Sequence, residues 1–101
     1  MKITRVWHGL IHKEQLEPYK NYVEKTGIAE YKKTKGNISA KVLIRFEGDY
    51  CHFYTVTEWD SYESIQNFAG ENYEIAKYYD EDKKYLIEFE EKVMHFETYD
   101  Y

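Results

Sequence analysis

Two alternating segments joined by a short turn constrain the fold more than any other feature of the sequence. From Ile38 to Phe46 every second residue is apolar, and the residues between them include Ser39, Lys41 and Arg45. Glu47-Gly48-Asp49 follows, and residues 50–59 alternate again. A period of two is typical of strands with one buried face, and short glycine-containing loops join antiparallel strands. The sequence therefore predicts a β-hairpin over residues 38–59.

Helical patterns lie on both sides of this hairpin. From Gln15 to Lys25, the apolar residues Leu16, Tyr19 and Val23 recur at helical spacing, and Gly27 is a predicted C-cap. Pro18 fits only the first turn of that helix. After the hairpin, Asp60 or Ser61 is predicted to cap a second helix, which Gly70 ends.

Two outer strands complete the predicted order of elements. The first covers residues 4–11 and the last covers residues 92–99, while the acidic, tyrosine-rich residues 73–88 are predicted to be helical in pieces. The order β-α-β-β-α-β predicts an α+β, ferredoxin-like fold, in which a four-stranded antiparallel sheet carries helices on one face. We expect residues 1–101 to form a single domain.

Both faces of the third strand carry large apolar side chains. Phe53 and Trp59 are on one face, and Tyr54 and Val56 are on the other. Helices can cover only one of these faces, so the other must meet water or a partner. The sequence predicts a homodimer that buries the second sheet face.

Composition excludes several classes of partner. The 101 residues carry a net charge of −5 without a basic cluster, so a nucleic-acid partner is not expected. No apolar run approaches the roughly 18–20 residues of a membrane span, and the first residues lack the pattern of a signal peptide. Cys51 is alone, which fits a reducing compartment. We expect a cytoplasmic protein.

Short segments in a characteristic order and spacing run along nearly the whole chain. These are Trp7-His8-Gly9, Thr26-Gly27, Tyr31, Thr34-Lys35-Gly36-Asn37, Val42 to Arg45, Trp59-Asp60-Ser61, Phe68-Ala69-Gly70, Ala76-Lys77-Tyr78-Tyr79, Asp82 and Val93 to Glu97. In these segments the sequence resembles the antibiotic biosynthesis monooxygenase family, whose members form dimeric α+β barrels.

The resemblance implies a two-fold dimer with a cavity between the sheet and the helices of each protomer. Better-known relatives oxidise phenolic compounds with molecular oxygen and use neither metal nor flavin, so no cofactor is expected. Other relatives degrade haem with an Asn on the first strand, a Trp like Trp59 and a His on the following helix. That Asn and that His are absent here, so haem degradation is not expected.

Eight residues are candidates for the site. His8 could act as a general base, and Arg45 could hold a phenolic oxygen. The alternatives are a backbone- or carboxylate-bonded histidine and a salt-bridged arginine. Two histidines without a placed carboxylate or cysteine do not predict a metal site. The candidates for substrate binding are Trp59, Trp7, Tyr31, Asn37, Tyr79 and His95. Trp59 could equally be a core residue that anchors the second helix.

Two functions are compatible with this sequence. The first is metal- and flavin-independent oxidation of a small phenolic or quinol-type aromatic compound. The second is a non-catalytic, dimeric module of the same fold that binds or senses a small molecule. The sequence holds no complete catalytic set that would decide between them.

Overall fold

A computed structural model describes residues 2–101 and contains one antiparallel sheet. Its strands are β1 (Lys2–His12), β2 (Asn37–Glu47), β3 (Tyr50–Trp59), β4 (Leu86–Phe89) and β5 (Met94–Thr98). The predicted hairpin is confirmed: β2 and β3 pair from Asn37 opposite Trp59 to Glu47 opposite Tyr50. Gly48 takes a positive φ of 59° in the turn, a backbone conformation that favours glycine.

The strand order is β2-β3-β1-β4, with β5 also paired to β1. β1 is antiparallel to all three of its neighbours. This is the ferredoxin-like order, in which the first strand lies between the third and the last. The predicted fold class is therefore confirmed.

The last strand is divided, which the sequence did not predict. β4 pairs with the second half of β1 (Gly9 to Ile11), and β5 pairs with the first half (Lys2 to Val6). Residues 90–93 separate them, so the sheet has five strands rather than four. The prediction of helix over residues 73–88 was wrong at both ends, because residues 73–80 are irregular and residues 86–89 are β4.

The first helical segment is longer than predicted. A 3₁₀ turn (Lys13–Gln15) leads into α1 (Leu16–Val23), a π-helical turn (Glu24–Ile28) and α2 (Ala29–Lys33). Gly27 is therefore not a C-cap but a buried residue within the π turn. Pro18 lies in the first turn of α1, as predicted.

The second helical segment has the predicted start and end. In α3 (Tyr62–Ala69), Ser61 is the N-cap, because its Oγ accepts a hydrogen bond of 3.1 Å from the backbone N–H of Ser64. Gly70 follows the helix with a φ of 87°. A short α4 (Asp82–Tyr85) precedes β4. None of the helices in residues 2–101 is long and apolar enough to span a membrane.

The core lies between the helices and one face of the sheet, which we call the inner face. Burial alternates along β1 and β3, so that odd-numbered residues point inward and even-numbered ones point outward. Two groups of buried side chains result, one around Trp7 and Phe53 and the other around Ile3 and Trp59. No layer formed by residues 2–101 covers the opposite, outer face.

Candidate functional site

A cavity of about 30 Å³ lies between the inner face and the helical layer. A volume of this size holds one or two water molecules. β1, β3 and the first helical segment contribute to its walls, and the irregular segment before α4 completes the lining. The lining residues are Arg5, Trp7, Tyr19, Val23, Thr26, Gly27, Tyr31, Thr55, Lys77, Tyr78, Tyr79, Asp82 and Val93.

Arg5 is the buried cation of this cavity, with only 3 % of its surface exposed. Its Nη1 donates hydrogen bonds to the Tyr73 carbonyl at 2.5 Å and to His95 Nε2 at 3.0 Å. Within residues 2–101 it forms no salt bridge with a carboxylate. Burial lowers the pKa of Arg5 and the nearby Tyr31 opposes this, but a guanidinium stays charged at neutral pH.

His95 lies opposite Arg5 in the β1–β5 pairing and on the same face. Burial, and then the charge of Arg5, lower the pKa of His95 to about 4. The imidazole is therefore neutral at pH 7. Because a guanidinium only donates hydrogen bonds, Nε2 must accept and the ring proton sits on Nδ1. His95 thus orients Arg5 without competing with it for an anion.

Two hydroxyl groups lie together in the same cavity. Tyr31 Oη and Thr55 Oγ1 are 3.4 Å apart, and both residues are buried. Burial raises the pKa of Tyr31, although the hydrogen bond with Thr55 and the charge of Arg5 oppose the shift. Tyr31 is therefore a neutral phenol that can donate a hydrogen bond.

The only carboxylate lining the cavity within residues 2–101 already has hydrogen-bond donors. Asp82 accepts from Tyr19 Oη at 2.9 Å and from the Tyr79 backbone N–H at 2.6 Å. Burial raises its pKa, and these two hydrogen bonds partly oppose the rise. Asp82 fixes the start of α4 against α1 and forms no salt bridge with Arg5.

A charged cluster fastens the irregular segment to α2, and we call it the Glu30 clamp. Its members are Glu30, Lys77 and Tyr79. Lys77 Nζ and Tyr79 Oη each donate to one oxygen of the Glu30 carboxylate, and Lys77 also donates to the Phe68 carbonyl. Burial alone would raise the pKa of Glu30, but the hydrogen bonds from Lys77 and Tyr79 lower it.

Trp59 is in the core and does not line the cavity. It is fully buried, packs against Tyr31 and Phe68, and donates from Nε1 to Thr57 Oγ1 at 2.8 Å. Trp7, in contrast, does line the cavity and donates to Tyr78 Oη at 3.0 Å.

His8 lies on the outer face, opposite to the cavity. Its Nε2 is 2.8 Å from Nδ1 of His52, its Nδ1 is 3.2 Å from Glu90, and His52 Nε2 is 2.8 Å from Glu47. The ring centroids are 5.1 Å apart, about as far as nitrogens 2.8 Å apart allow. The rings therefore meet edge to edge rather than face to face. We call this row the histidine chain.

The histidine chain is complete only when it holds one extra proton. Each outer nitrogen must carry a proton to donate to its carboxylate, and the central contact needs one more. Three protons on two imidazoles make one imidazolium. Two neutral rings leave one of the three contacts without a proton, and two charged rings place N–H against N–H.

The other two candidates lie away from the cavity as well. Arg45 is an exposed residue on the outer face of β2. Asn37 donates from Nδ2 to the carbonyls of Ser39 and Glu58, each at 3.1 Å, where β2 begins with a bulge. The predicted set is thus divided: Trp7, Tyr31 and Tyr79 line the cavity and His95 adjoins it, whereas His8 and Arg45 lie on the outer face. A catalytic role for His8 and Arg45 stays a prediction.

Sequence reasoning missed Arg5, Thr55 and Asp82. A signal for Arg5 was present, because alternation along the first strand places it on the same face as Ile3 and Trp7. A charged residue at a core-facing position is rare unless it is paired or functional. Asp82 belongs to the family pattern, but it was not predicted as a site residue because it lies in a charged run that is typical of a solvated helix start.

The fold is similar to that of solved proteins, although no family model and no curated protein matches the sequence. A Bacillus cereus protein described as a candidate antibiotic biosynthesis monooxygenase has a TM-score of 0.69 and 14 % identity, over 99 % of this chain and 97 % of its own. A conserved protein from Methanosarcina mazei Go1 has a TM-score of 0.66 and 17 % identity, and the match covers 95 % of this chain and 91 % of that protein. Rv0793 from Mycobacterium tuberculosis has a TM-score of 0.66 and 10 % identity, and the match covers 100 % of this chain and 98 % of that protein. At these identities the likeness concerns the fold, and the protein has the ferredoxin-like α+β fold of antibiotic biosynthesis monooxygenase-like proteins.

Proposed function

We propose that the protein binds a small phenolic or quinol-type compound under the inner face and oxidises it with molecular oxygen, without metal or flavin. The observation that carries this proposal is the cavity, whose lining includes five aromatic rings and the adjacent hydroxyl groups of Tyr31 and Thr55 in a monooxygenase-like fold. For a ring CH₂ group, one oxygen atom of O₂ becomes the product carbonyl. The other leaves as water with the two hydrogens of that group.

The cavity must widen before an aromatic ring can enter. Its volume of about 30 Å³ is far below the roughly 300–1,000 Å³ of typical ligand pockets. The irregular segment before α4 is the part best able to move, since it has few regular backbone hydrogen bonds. The Glu30 clamp and the backbone hydrogen bonds of Ala76 to Glu91 and of Val93 to Glu74 hold it over the cavity, so these contacts must loosen for the ligand to enter.

Oxygen uptake tests the proposed reaction. Aerobic incubation with anthrone, which carries such a CH₂ group, is expected to consume oxygen, and the uptake should persist after desalting and in the presence of EDTA. Gly27→Leu, which adds a side chain beside the rings of Tyr31 and Tyr79, is expected to abolish the uptake while the circular dichroism spectrum is kept. Equal uptake by wild type and Gly27→Leu would contradict a reaction in this cavity.

A binding function without chemistry is the second candidate. It is favoured by the absence, among the described residues that line the cavity, of a carboxylate free to act as a base, since both oxygens of Asp82 accept hydrogen bonds. Native mass spectrometry of the protein from its own host would show a retained aromatic compound. Retained ligand together with no oxygen uptake would support this candidate over the oxygenase.

We further propose that the protein is a homodimer formed through the outer face. Large apolar side chains on this face are about half exposed, including Leu43 at 50 %, Met94 at 56 % and Phe96 at 47 %. A patch of this kind on a small protein commonly marks an interface. Light scattering at micromolar concentration should give twice the monomer mass, and Leu43→Asp should return the monomer. A monomeric mass for the wild type would contradict the proposal.

A further inference from the structure

We propose that the cavity is an anion site in which Arg5 binds an anionic oxygen carried by an aromatic ring, as in an aromatic carboxylate or a phenolate. The proposal rests on the proposed function only in taking this cavity as the place where the ligand binds. It adds the charge of the ligand and the group that recognises it.

The first step is the uncompensated charge of Arg5. Buried charges in proteins are normally paired, because removing a charge from water costs several kcal/mol. Arg5 is 3 % exposed, yet its hydrogen-bond partners are a carbonyl and a neutral imidazole, and the ring of Phe68, 5.7 Å from the guanidinium carbon, carries no net charge. A bound anion would supply the missing charge.

The second step is the count of free donors. A guanidinium has five N–H groups, and within residues 2–101 only Nη1 of Arg5 has hydrogen-bond partners. No side-chain nitrogen in those residues is fully buried without a partner, so Nε and Nη2 keep contact with open space. Two adjacent donors of this kind match a carboxylate in the two-pronged geometry that arginine favours.

The third step is the surroundings of that free edge. Tyr31 and Thr55 add hydroxyl donors, and Trp7 and Tyr78 add ring surfaces beside them. Asp82 is engaged by Tyr19 and the Tyr79 backbone and does not pair with Arg5. The cavity is thus suited to a flat ring that carries a negatively charged oxygen.

Nuclear magnetic resonance on the unmodified protein tests the site directly. The chain has two arginines, Arg5 and Arg45, so the Nε–Hε region contains two signals, and Arg45→Met identifies which is which. Benzoate is expected to shift the Arg5 signal and leave the Arg45 signal in place, whereas the neutral isostere benzamide shifts neither. Equal shifts with benzoate and benzamide, or no shift of the Arg5 signal with either benzoate or 4-nitrophenolate, would overturn the proposal.

Variants measure the size of the effect. Arg5→Met should weaken benzoate binding about tenfold or more, the range of a hydrogen bond to a charged group, while Arg45→Met should bind benzoate like the wild type. Arg5→Lys should fall between them, because it keeps the charge and loses the two-pronged geometry. If Arg5→Met does not fold, Arg5→Lys and the spectra of the wild type decide.

Two further arms separate the two kinds of anion and the two proposals. 4-Nitrophenol absorbs visible light only as its phenolate, so phenolate binding appears as increased colour at fixed pH, and neutral 4-nitroanisole is its control. Benzoate binding without this colour assigns a carboxylate ligand, and the reverse assigns a phenolate. Benzoate binding at Arg5 without oxygen uptake contradicts the oxygenase and keeps the anion site. Oxygen uptake that is equal in wild type and Arg5→Met contradicts the anion site and keeps the oxygenase.

Discussion

The two faces of the sheet treat the same residue type in opposite ways. On the inner face, His95 lies beside a buried guanidinium and has no carboxylate partner among the described residues. On the outer face, His8 and His52 lie between the carboxylates of Glu90 and Glu47. Beside Arg5, the His95 imidazole is held in its neutral form. The three contacts of the histidine chain can all be hydrogen bonds only when one imidazole of the pair carries an extra proton. The neighbours supplied by the fold, rather than the imidazole itself, decide which hydrogen bonds each histidine can make.

The faces also differ in how tightly they are packed. Trp59 on the inner face is fully buried, whereas Leu43 on the outer face is half exposed. Both are large apolar residues on neighbouring strands. Their difference follows from the helical layer, which covers one face and leaves the other to water or to a partner.

The largest expected effect is that of Trp59→Ala. Removing a buried tryptophan leaves a void among Ile3, Ile65 and Phe68, and such truncations cost about 3–5 kcal/mol. Urea denaturation with circular dichroism gives the change in the free energy of unfolding. A loss below about 1 kcal/mol would mean that Trp59 is not the core residue that its burial indicates.

The next effect is on the pH dependence of stability and comes from His95. Its folded pKa, about 4, lies below the ordinary value of about 6.5. Between pH 6.5 and pH 4, His95 takes up a proton in the unfolded state but not in the folded state. The free energy of unfolding therefore falls as the pH is lowered through this range. The slope from one proton is at most about 1.4 kcal/mol per pH unit. His95→Gln keeps an acceptor for Arg5 and should show a shallower slope between pH 6.5 and 4. A pH dependence of stability that is the same in His95→Gln and the wild type would contradict the lowered pKa of His95.

A smaller effect is expected from the histidine chain. The His8–His52 coupling, measured by a double-mutant cycle with His8→Gln and His52→Gln, should be about 0.5–1 kcal/mol. The two imidazoles meet through a nitrogen–nitrogen contact of 2.8 Å, so the effects of the two substitutions are not expected to add. A coupling close to zero would contradict this contact.

The smallest effect is expected from Leu43→Ala at low protein concentration. A half-exposed side chain buries little area, so the loss should stay within about 0.5 kcal/mol. Repeating the measurement at a hundredfold higher concentration sharpens the comparison of the faces. A loss that grows with concentration supports the homodimer, since dimer formation links stability to concentration. A loss of stability that is the same at both protein concentrations would contradict an interface that includes Leu43.

Most of the fold was readable from the sequence because it depends on local signals. The alternation of β2 and β3, the Ser61 cap and Gly70 each act over a few residues, and each led to the correct element. Gly27 misled the prediction, since a glycine inside a π turn and a glycine after a helix look alike in sequence. β4 was missed because its four residues adjoin an acidic, helix-like stretch and are fixed by pairing with β1.

The site was less predictable because it depends on which face of the sheet each residue occupies. His8 and Trp7 are adjacent in sequence, yet alternation sends one outward and the other into the cavity. The distance between β1 and residues 77–82 is set by the helical layer, which no local pattern reports. Arg5 could have been found, because its position in the alternation of the first strand is a local signal.

The break between β4 and β5 has a consequence for how the length of this chain can change. In a continuous strand, inserting one residue sends every later side chain to the other face. Here residues 90–93 separate two short strands that each find their own register on β1. The same residues are tied to the segment over the cavity, through Ala76 with Glu91 and Val93 with Glu74. We therefore expect natural homologues to gain or lose residues here, and such changes would reshape the cover of the cavity while the sheet beneath it stays the same.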